Sequence, residues 1–589
     1  MNQQHLDSTT ETDIDDPYAA RPWLRNYPSG VPADIEQTDL TVPDLIRHAA
    51  ARYPDHVAFA YYGRHLTFRE IDRLSSMFAN RLIERGLQPG DRVLVVLANM
   101  PQYPIVHLGT MKAGGVVAAL SPLLVEREIA ELAADSGAKI IVALDRVWDR
   151  IAPLIERGVV ERAIMTGPQD YLPTVKRLLY PLKYRKEMIS VPFDSARGIE
   201  SLRDVMKGAS NRDPQVQIDP SAIAAFQYTG GTTGLPKAAV LTHRNLVANV
   251  LQVRAWVWDL NEGEETVLSI LPFFHSYGVT LCLHIAAYIG ATTILVPRFE
   301  IADVMEQIKR YQPTALPGVP TLYSAIIGAV DRNPARQASM RSIQYCISGG
   351  APLPQAVQER FEELTGGRLV EGYGLSEASP VTHANPLNGE ARIGTIGMPM
   401  PSTEARIVDL ETRRPVPIGE RGEIAVRGPQ VMQGYWRRPE DTAAVLSDDG
   451  WLYTGDVGVM DEDGYFRIVD RQKDVIITGG ENIYPREIEE VLYTHPSIAD
   501  AAVIGVSHAV GGQIVKAFIT AKPGEKLERR DVLQFCGERL AKYKVPRQIE
   551  FRASLPKSPS GKILRRALAE EEDAKPRRRR ASEKSADES

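Results

Sequence analysis

The chain has 589 residues, 43% of them hydrophobic, enough to bury several cores and to fill three or four domain-sized units. A formal net charge of −6 argues against general nucleic-acid binding. Cys282, Cys346 and Cys536 are isolated, with no CxxC and no even framework, which fits small core residues in a reducing cytoplasm.

Residues 1–16 are polar and acidic, read as disordered, and lack the basic-then-apolar order of a signal peptide. The body then alternates β-branched runs with helical patterns, which points to α/β sheets. Arg92–Leu97 reads as a strand before helical Tyr103–Lys112, and helical Glu126–Asp135 precedes strand Lys139–Leu144. Asp170–Lys183 is basic and apolar, with Val175, Leu178 and Leu179 on one helical face and Lys176 and Arg177 nearby. Between Pro173 and Pro181 it has room for little more than two turns, as a surface helix or a membrane-surface element.

The apolar strand Ala222–Tyr228 runs into Thr229-Gly230-Gly231-Thr232-Thr233-Gly234-Leu235-Pro236-Lys237. Three glycines free successive backbone N–H groups to turn toward an anion, the threonines add hydroxyl donors, and Lys237 adds a positive charge. The segment therefore reads as a polyphosphate cradle. It is not the usual P-loop, which places lysine directly after its last glycine and Ser or Thr next. As a bare pattern, a Gly/Thr surface loop remains the alternative. Thr242 is placed to cap a helix beginning at His243.

Gly278–Val296 is the longest apolar run, but His284, Tyr288 and Gly290 interrupt it. A buried helix followed by a strand at 292–296 accounts for it better than a membrane span. Two further strands end in glycine loops. One carries Gly349, Gly350, Ala351 and Pro352, and the other Glu371, Gly372, Tyr373, Gly374, Leu375, Ser376 and Glu377. Loops at the carboxyl ends of strands are where open α/β sheets bind ligands. From about Arg392 the texture changes to short strands and turns, including Gly422–Gly428, a turn at Asp461–Gly464, and Gly464–Val469. A small α/β unit follows from about Arg471 to Ala567. Beyond it lies a charged tail containing Lys575-Pro-Arg-Arg-Arg-Arg580, expected to be disordered.

The motifs, in this order from about residue 40 to 567, resemble those of the acyl-adenylate-forming ligases. That superfamily includes acyl-CoA synthetases, luciferases and peptide-synthetase adenylation domains. The resemblance implies two stacked α/β sheets and a small β-barrel-like subdomain in a large N-terminal domain (17–470). A small mobile α+β C-terminal domain (471–569) and a disordered tail (570–589) would follow. It also implies that Thr229 to Gly234 and Lys237 hold the polyphosphate of ATP, and that Gly349 to Pro352 pack on adenine. Within Glu371–Glu377, Tyr373 would offer a flat face to adenine, and Glu377 would bind Mg²⁺ together with Thr229. His275, in Pro272-Phe-Phe-His-Ser-Tyr-Gly278, resembles the histidine lining the acyl site. Asp456, in Tyr453-Thr-Gly-Asp456, and Arg471 resemble the ribose contacts, and Lys473 the hinge. Gly479 and Gly480 would line the path of coenzyme A, and Lys562 would be the lysine of the adenylation step. Ala238 departs from the pattern, which usually has glycine there. A positive φ at that point would strain alanine.

Within the superfamily, Arg21–Pro32, the Gln227–Gly234 form of the phosphate loop and the Asp170–Lys183 insertion are most similar to bacterial long-chain fatty-acyl-CoA synthetases. The implied reaction joins a fatty acid to coenzyme A, using ATP and Mg²⁺ and releasing AMP and pyrophosphate. A medium-chain or aryl-acid ligase, or an enzyme loading a carrier protein, would share the nucleotide motifs. The resemblance places the protein in the cytoplasm, with room for peripheral contact with the inner membrane face and for a homodimer.

Overall fold

The computed structural model describes residues 16–185, 188–229, 236–478, 481–507, 513–557 and 563–574. The first sheet has seven strands in the order Ile199–Ser201, Arg162–Thr166, Ile140–Leu144, Arg92–Val96, Val116–Ala119, Ile223–Thr229 and Lys237–Thr242. All pair in parallel except the last two, which form an antiparallel hairpin. Ile140–Leu144 is buried at every position and Arg92–Val96 at all but its first, as expected when helices cover both faces of a parallel sheet.

A second sheet pairs Thr266–Ser269, Thr292–Leu295, Val57–Tyr61 and Arg64–Thr67. Bridges at Ala315 connect it to a third, of Tyr345–Ser348, Arg368–Gly374, Val381–Ala384 and Met398–Pro399. A smaller antiparallel sheet follows, of Glu404–Val408, Gly422–Arg427, Leu452–Met460 and Phe466–Arg471. The C-terminal part combines a three-stranded sheet (Ile498–Ser507, Gln513–Ala521, Gln548–Phe551) with helices Pro485–Tyr493, Arg529–Gly537 and Arg565–Ala574.

Local signals produce these elements where the sequence places them. Thr242 accepts a hydrogen bond from the Asn245 N–H at 3.1 Å and caps the helix His243–Trp256. The apolar run becomes a buried helical stretch, Ser276–Ile289, that changes hydrogen-bond spacing over Thr280–His284, and then the strand Thr292–Leu295. All three cysteines are buried free thiols. Ala238 lies in the extended strand Lys237–Thr242 and not among the residues with positive φ, so its methyl group causes no strain. Among the described residues, no helix is long and apolar enough to cross a membrane.

Candidate active site

The glycine-loop hairpin is anchored at its base. Thr229 and Lys237 are its last paired residues, and the Thr229 hydroxyl donates to the Lys237 carbonyl at 3.3 Å. Gly230, Gly231, Thr232, Thr233 and Gly234, which continue from that pair, lie outside the described residues, as do Gly479, Gly480 and Lys562. The Lys237 ammonium meets Asp441 at 2.5 Å and lies 5.3 Å from the centre of the Tyr435 ring. Both partners are part-exposed, so the pair contributes little to stability, and a polyphosphate can displace the carboxylate.

The strand Arg368–Gly374 carries the next group of residues to the same place. Its end needs glycine: a Cβ at Gly374 would stand 2.0 Å from the Pro380 carbonyl oxygen. Two residues on, Ser376 and Glu377 form a short helical turn, and the Ser376 hydroxyl lies 3.4 Å from that of Ser276. Glu377 is held from both ends. Its carbonyl accepts from the Met432 N–H at 2.8 Å, and its carboxylate accepts from the Tyr435 hydroxyl at 2.7 Å. Tyr435 thus lies beside both Lys237 and Glu377, which ties the phosphate hairpin to the carboxylate.

Asp456 is buried at the far side. Its two carboxylate oxygens take the Tyr373 hydroxyl at 2.6 Å and the Arg471 guanidinium at 3.1 Å. A carboxylate has about four acceptor directions, so Asp456 still has capacity for two hydroxyls of a diol. The Tyr373 hydroxyl is held well above its ordinary pKa by burial and by Asp456, so it stays a donor. A cleft of about 590 Å³, including space open to solvent, adjoins this region and is lined by Leu375, Glu377, Glu423, Tyr435, Thr454 and Gly455. Gln472, from the turn Gln472–Asp474 that contains Lys473, closes its edge.

The Gly349–Pro352 loop is stapled to the same strand. Gly350 takes φ +76°, and the Glu371 carboxylate accepts from the Leu353 N–H at 3.0 Å. Burial pushes the Glu371 carboxyl from its ordinary 4.5 up to about 7, against the pull of Arg486. The folded state therefore holds an extra proton between those values. The stability that neutral Glu371 contributes is complete below about pH 4.5 and is lost as pH rises through about 7. Glu371→Gln keeps an acceptor for Leu353 and removes the titration. Relative to wild type it should gain roughly 3 kcal/mol of stability between pH 5 and pH 8 in urea unfolding. A difference between the two proteins that stays constant with pH would return Glu371 to an ordinary carboxyl.

His275 has an exposed side chain and packs its ring on Phe274 at 4.8 Å. Near it lies a small apolar cavity of about 20 Å³, lined by Tyr103, Phe226, Phe273, Val279, His107 and His284. The two histidine Nε2 atoms are 2.9 Å apart. Burial holds both imidazoles below their ordinary pKa, so they add no charge to the cavity lining.

Sequence reasoning missed the groups that position these residues. Tyr435 and Asp441 are set on Glu377 and Lys237 from 58 and 204 residues away in the chain. Arg565 is the other omission. It makes a two-pronged contact with Glu489, at 2.9 and 2.5 Å, and also meets Asp470 at 2.9 Å and Asp474 at 3.1 Å. Asp470 also accepts from the backbone N–H groups of Arg471 and Arg486. Arg565 therefore clamps the start of its helix to the residues flanking Lys473. The density of charge at Asp470-Arg-Gln-Lys-Asp474 and Arg565–Arg566 was the available signal.

The sequence pattern of AMP-binding enzymes matches residues 46–436, and that of the AMP-binding enzyme C-terminal domain matches 487–562. The chain belongs to the AMP-binding enzyme family. Among curated members, it is 45% identical to a long-chain-fatty-acid–CoA ligase of Bacillus subtilis, covering 94% of this chain and 98% of the relative. An enzyme of the same name from Salmonella typhimurium is 39% identical, covering 93% and 98%. Among solved structures, ATP-bound MatB from Rhodopseudomonas palustris matches with a TM-score of 0.79 and 30% identity, over 90% of this chain and 99% of that one. The family match agrees with the two-part architecture of a large N-terminal α/β body and a small C-terminal unit.

Glu377 is suited to Mg²⁺, a hard cation that keeps several waters and binds through one or two carboxylates plus substrate phosphates. Among the described residues there is no cluster of three or more His, Cys, Asp or Glu side chains able to hold a metal.

Proposed function

We propose that this protein is a long-chain fatty-acid–CoA ligase, converting fatty acid, ATP and coenzyme A to acyl-CoA, AMP and pyrophosphate. The observation that carries this reading is that Lys237 and Glu377 share Tyr435 at a cleft lined by Glu377, Tyr435 and Gly455, the residue before Asp456. Likeness over nearly the whole chain to enzymes named for that reaction supports it.

The chemistry assigns each group a task. Residues 17–470 bind the nucleotide and the acid, and residues 471–569 move. The hairpin of Thr229–Lys237 holds the β- and γ-phosphates, which depart together as pyrophosphate. Asp456 and Arg471 take the ribose hydroxyls, with Tyr373 and the Gly349–Pro352 loop at the adenine. Glu377 with Thr229 would hold Mg²⁺, which would supply charge neutralisation at the phosphates. The acid's carboxylate must still approach the α-phosphate, and two anions repel. Lys562 bridges them during attack, while His275 borders the acyl site. The resulting mixed anhydride would hydrolyse in water, so the closed site excludes it. Rotation about Lys473 then withdraws Lys562 and brings the Gly479–Gly480 loop up to guide the thiol to the same carbonyl.

The experiment is acid-dependent AMP release, with coenzyme A present, across straight-chain acids from acetate to oleate and benzoate. Each buried methylene is worth about 0.8 kcal/mol, so kcat/KM should climb steeply to a plateau at roughly C12–C18. A maximum at acetate or benzoate would assign the protein to another branch of the family. We place its working position in the cytoplasm, at the inner face of the membrane where such acids dissolve.

A further inference from the structure

The helix Thr174–Lys183 has its amphipathic face reversed. Val175, Leu178, Leu179 and Leu182 occupy positions i, i+3, i+4 and i+7, the spacing that normally buries a stripe against the core. Here they are 68%, 70%, 54% and 80% exposed. The helix is held to the body by its other side. The Lys176 ammonium donates to the Tyr62 carbonyl at 2.9 Å. Tyr180 is buried, accepts a hydrogen bond from Arg146 and stacks near Tyr184 with ring centres 4.7 Å apart. Four contiguous large apolar side chains in water mark a contact surface rather than scattered exposure.

Charge identifies the partner. From Thr174 to Arg185 the chain carries Lys176, Arg177, Lys183 and Arg185 and no acidic residue, within a protein whose net charge is −6. An apolar stripe on a segment that also exposes Arg177 and Arg185 suits acyl chains beneath anionic headgroups. We infer that the Val175–Leu182 face docks on an anionic lipid bilayer. The docking inference stands on this surface alone. What docking accomplishes rests on the ligase reading, and the geometry suits it. The turn before the helix receives Gln102, whose amide donates to the Gly167 carbonyl at 2.8 Å and the Thr166 hydroxyl at 3.1 Å. Gln102 opens the helix whose Tyr103 and His107 line the apolar cavity. Docking there sets the bilayer, in which the fatty acid is dissolved, one element away from the site that takes it up.

The test is co-sedimentation of the full-length protein with vesicles of phosphatidylglycerol and phosphatidylcholine, and with vesicles of phosphatidylcholine alone. Wild type should partition onto the anionic vesicles, with binding that weakens as salt rises from about 50 to 300 mM. The exposed-face variant L178S/L179S/L182S should bind about 10-fold or more weakly at every salt concentration. R177E/R185E should lose a comparable factor at low salt only. Both variants should turn over laurate in free solution like wild type, which shows the fold and active site intact. A wild type that binds vesicles but turns over no fatty acid would remove the ligase reading and leave the docking face standing. Three results overturn the inference: unchanged vesicle binding by L178S/L179S/L182S, binding abolished by deleting residues 575–589 alone, or a wild-type dimer that the triple substitution splits. The last would assign the stripe to a second copy of the chain.

Discussion

Lys562→Ala is expected to slow acyl-adenylate formation by about 10²–10³ or more, the scale for removing one preorganised group that stabilises developing charge. Given synthetic acyl-adenylate and coenzyme A, the same variant should form thioester at nearly the wild-type rate, because the proposed rotation would by then have carried Lys562 away. Lys473 supplies the complementary arm. It lies in the short turn Gln472–Asp474, between the strand ending at Arg471 and the one starting at Ile476. Lys473→Pro fixes φ there and should impair thioester formation more than adenylation. The diagnostic is the ratio of the two half-rates in each variant, read by rapid quench. Equal losses in both half-reactions for both variants would mean the two steps share one conformation, and Lys473 would lose its role as hinge.

Arg565→Leu is expected to destabilise the C-terminal unit by about 3–5 kcal/mol, the cost of removing one partner from a buried charge cluster. Glu489 is largely but not fully buried, and desolvation already pushes its carboxyl above the ordinary pKa, with Arg565 the main counterweight. Asp470 is buried. Without the guanidinium both carboxylates lose this cation and keep backbone N–H donors, Arg471 and Arg486 on Asp470 and Val503 on Glu489. The variant should therefore show an early unfolding transition of the C-terminal part in urea. Adenylation should fall with it, because Arg565 follows Lys562 by three residues and anchors the chain leaving that loop. Adding Glu489→Gln to Arg565→Leu should recover part of the stability, since it removes the stranded charge. A single transition at the wild-type midpoint would show that the cluster contributes little.

Much of the site was legible in the sequence because its signals are local. The Thr229–Lys237 hairpin, the Glu371–Glu377 turn and the Thr242 cap each depend on residues within a few positions of one another, and the structure forms the hairpin base, the turn and the cap there. The partners that position these groups were not legible. Tyr435 on Glu377 comes from a distant loop and Asp441 on Lys237 from the helix Pro439–Val445 that follows it, and a tyrosine or aspartate there carries no pattern to reveal its target. The Arg565 cluster has the same cause, since it depends on how the C-terminal helices return to the strand ending at Arg471. The Thr174–Lys183 helix shows a further limit. Its periodicity shows that Val175, Leu178 and Leu179 share a face, but periodicity does not say which way the face points. Lys176 and Tyr180, by binding Tyr62 and Arg146, turn it outward.

The central claim is a reaction, and product stoichiometry tests it most directly. Purified protein is given Mg²⁺, ATP labelled at the α-phosphate, palmitate and coenzyme A, and the products are separated and counted. The account predicts AMP, pyrophosphate and palmitoyl-CoA in equal amounts, with multiple turnover lost when either palmitate or coenzyme A is left out. ADP with inorganic phosphate, or acid-dependent turnover at the same rate without coenzyme A, would contradict it.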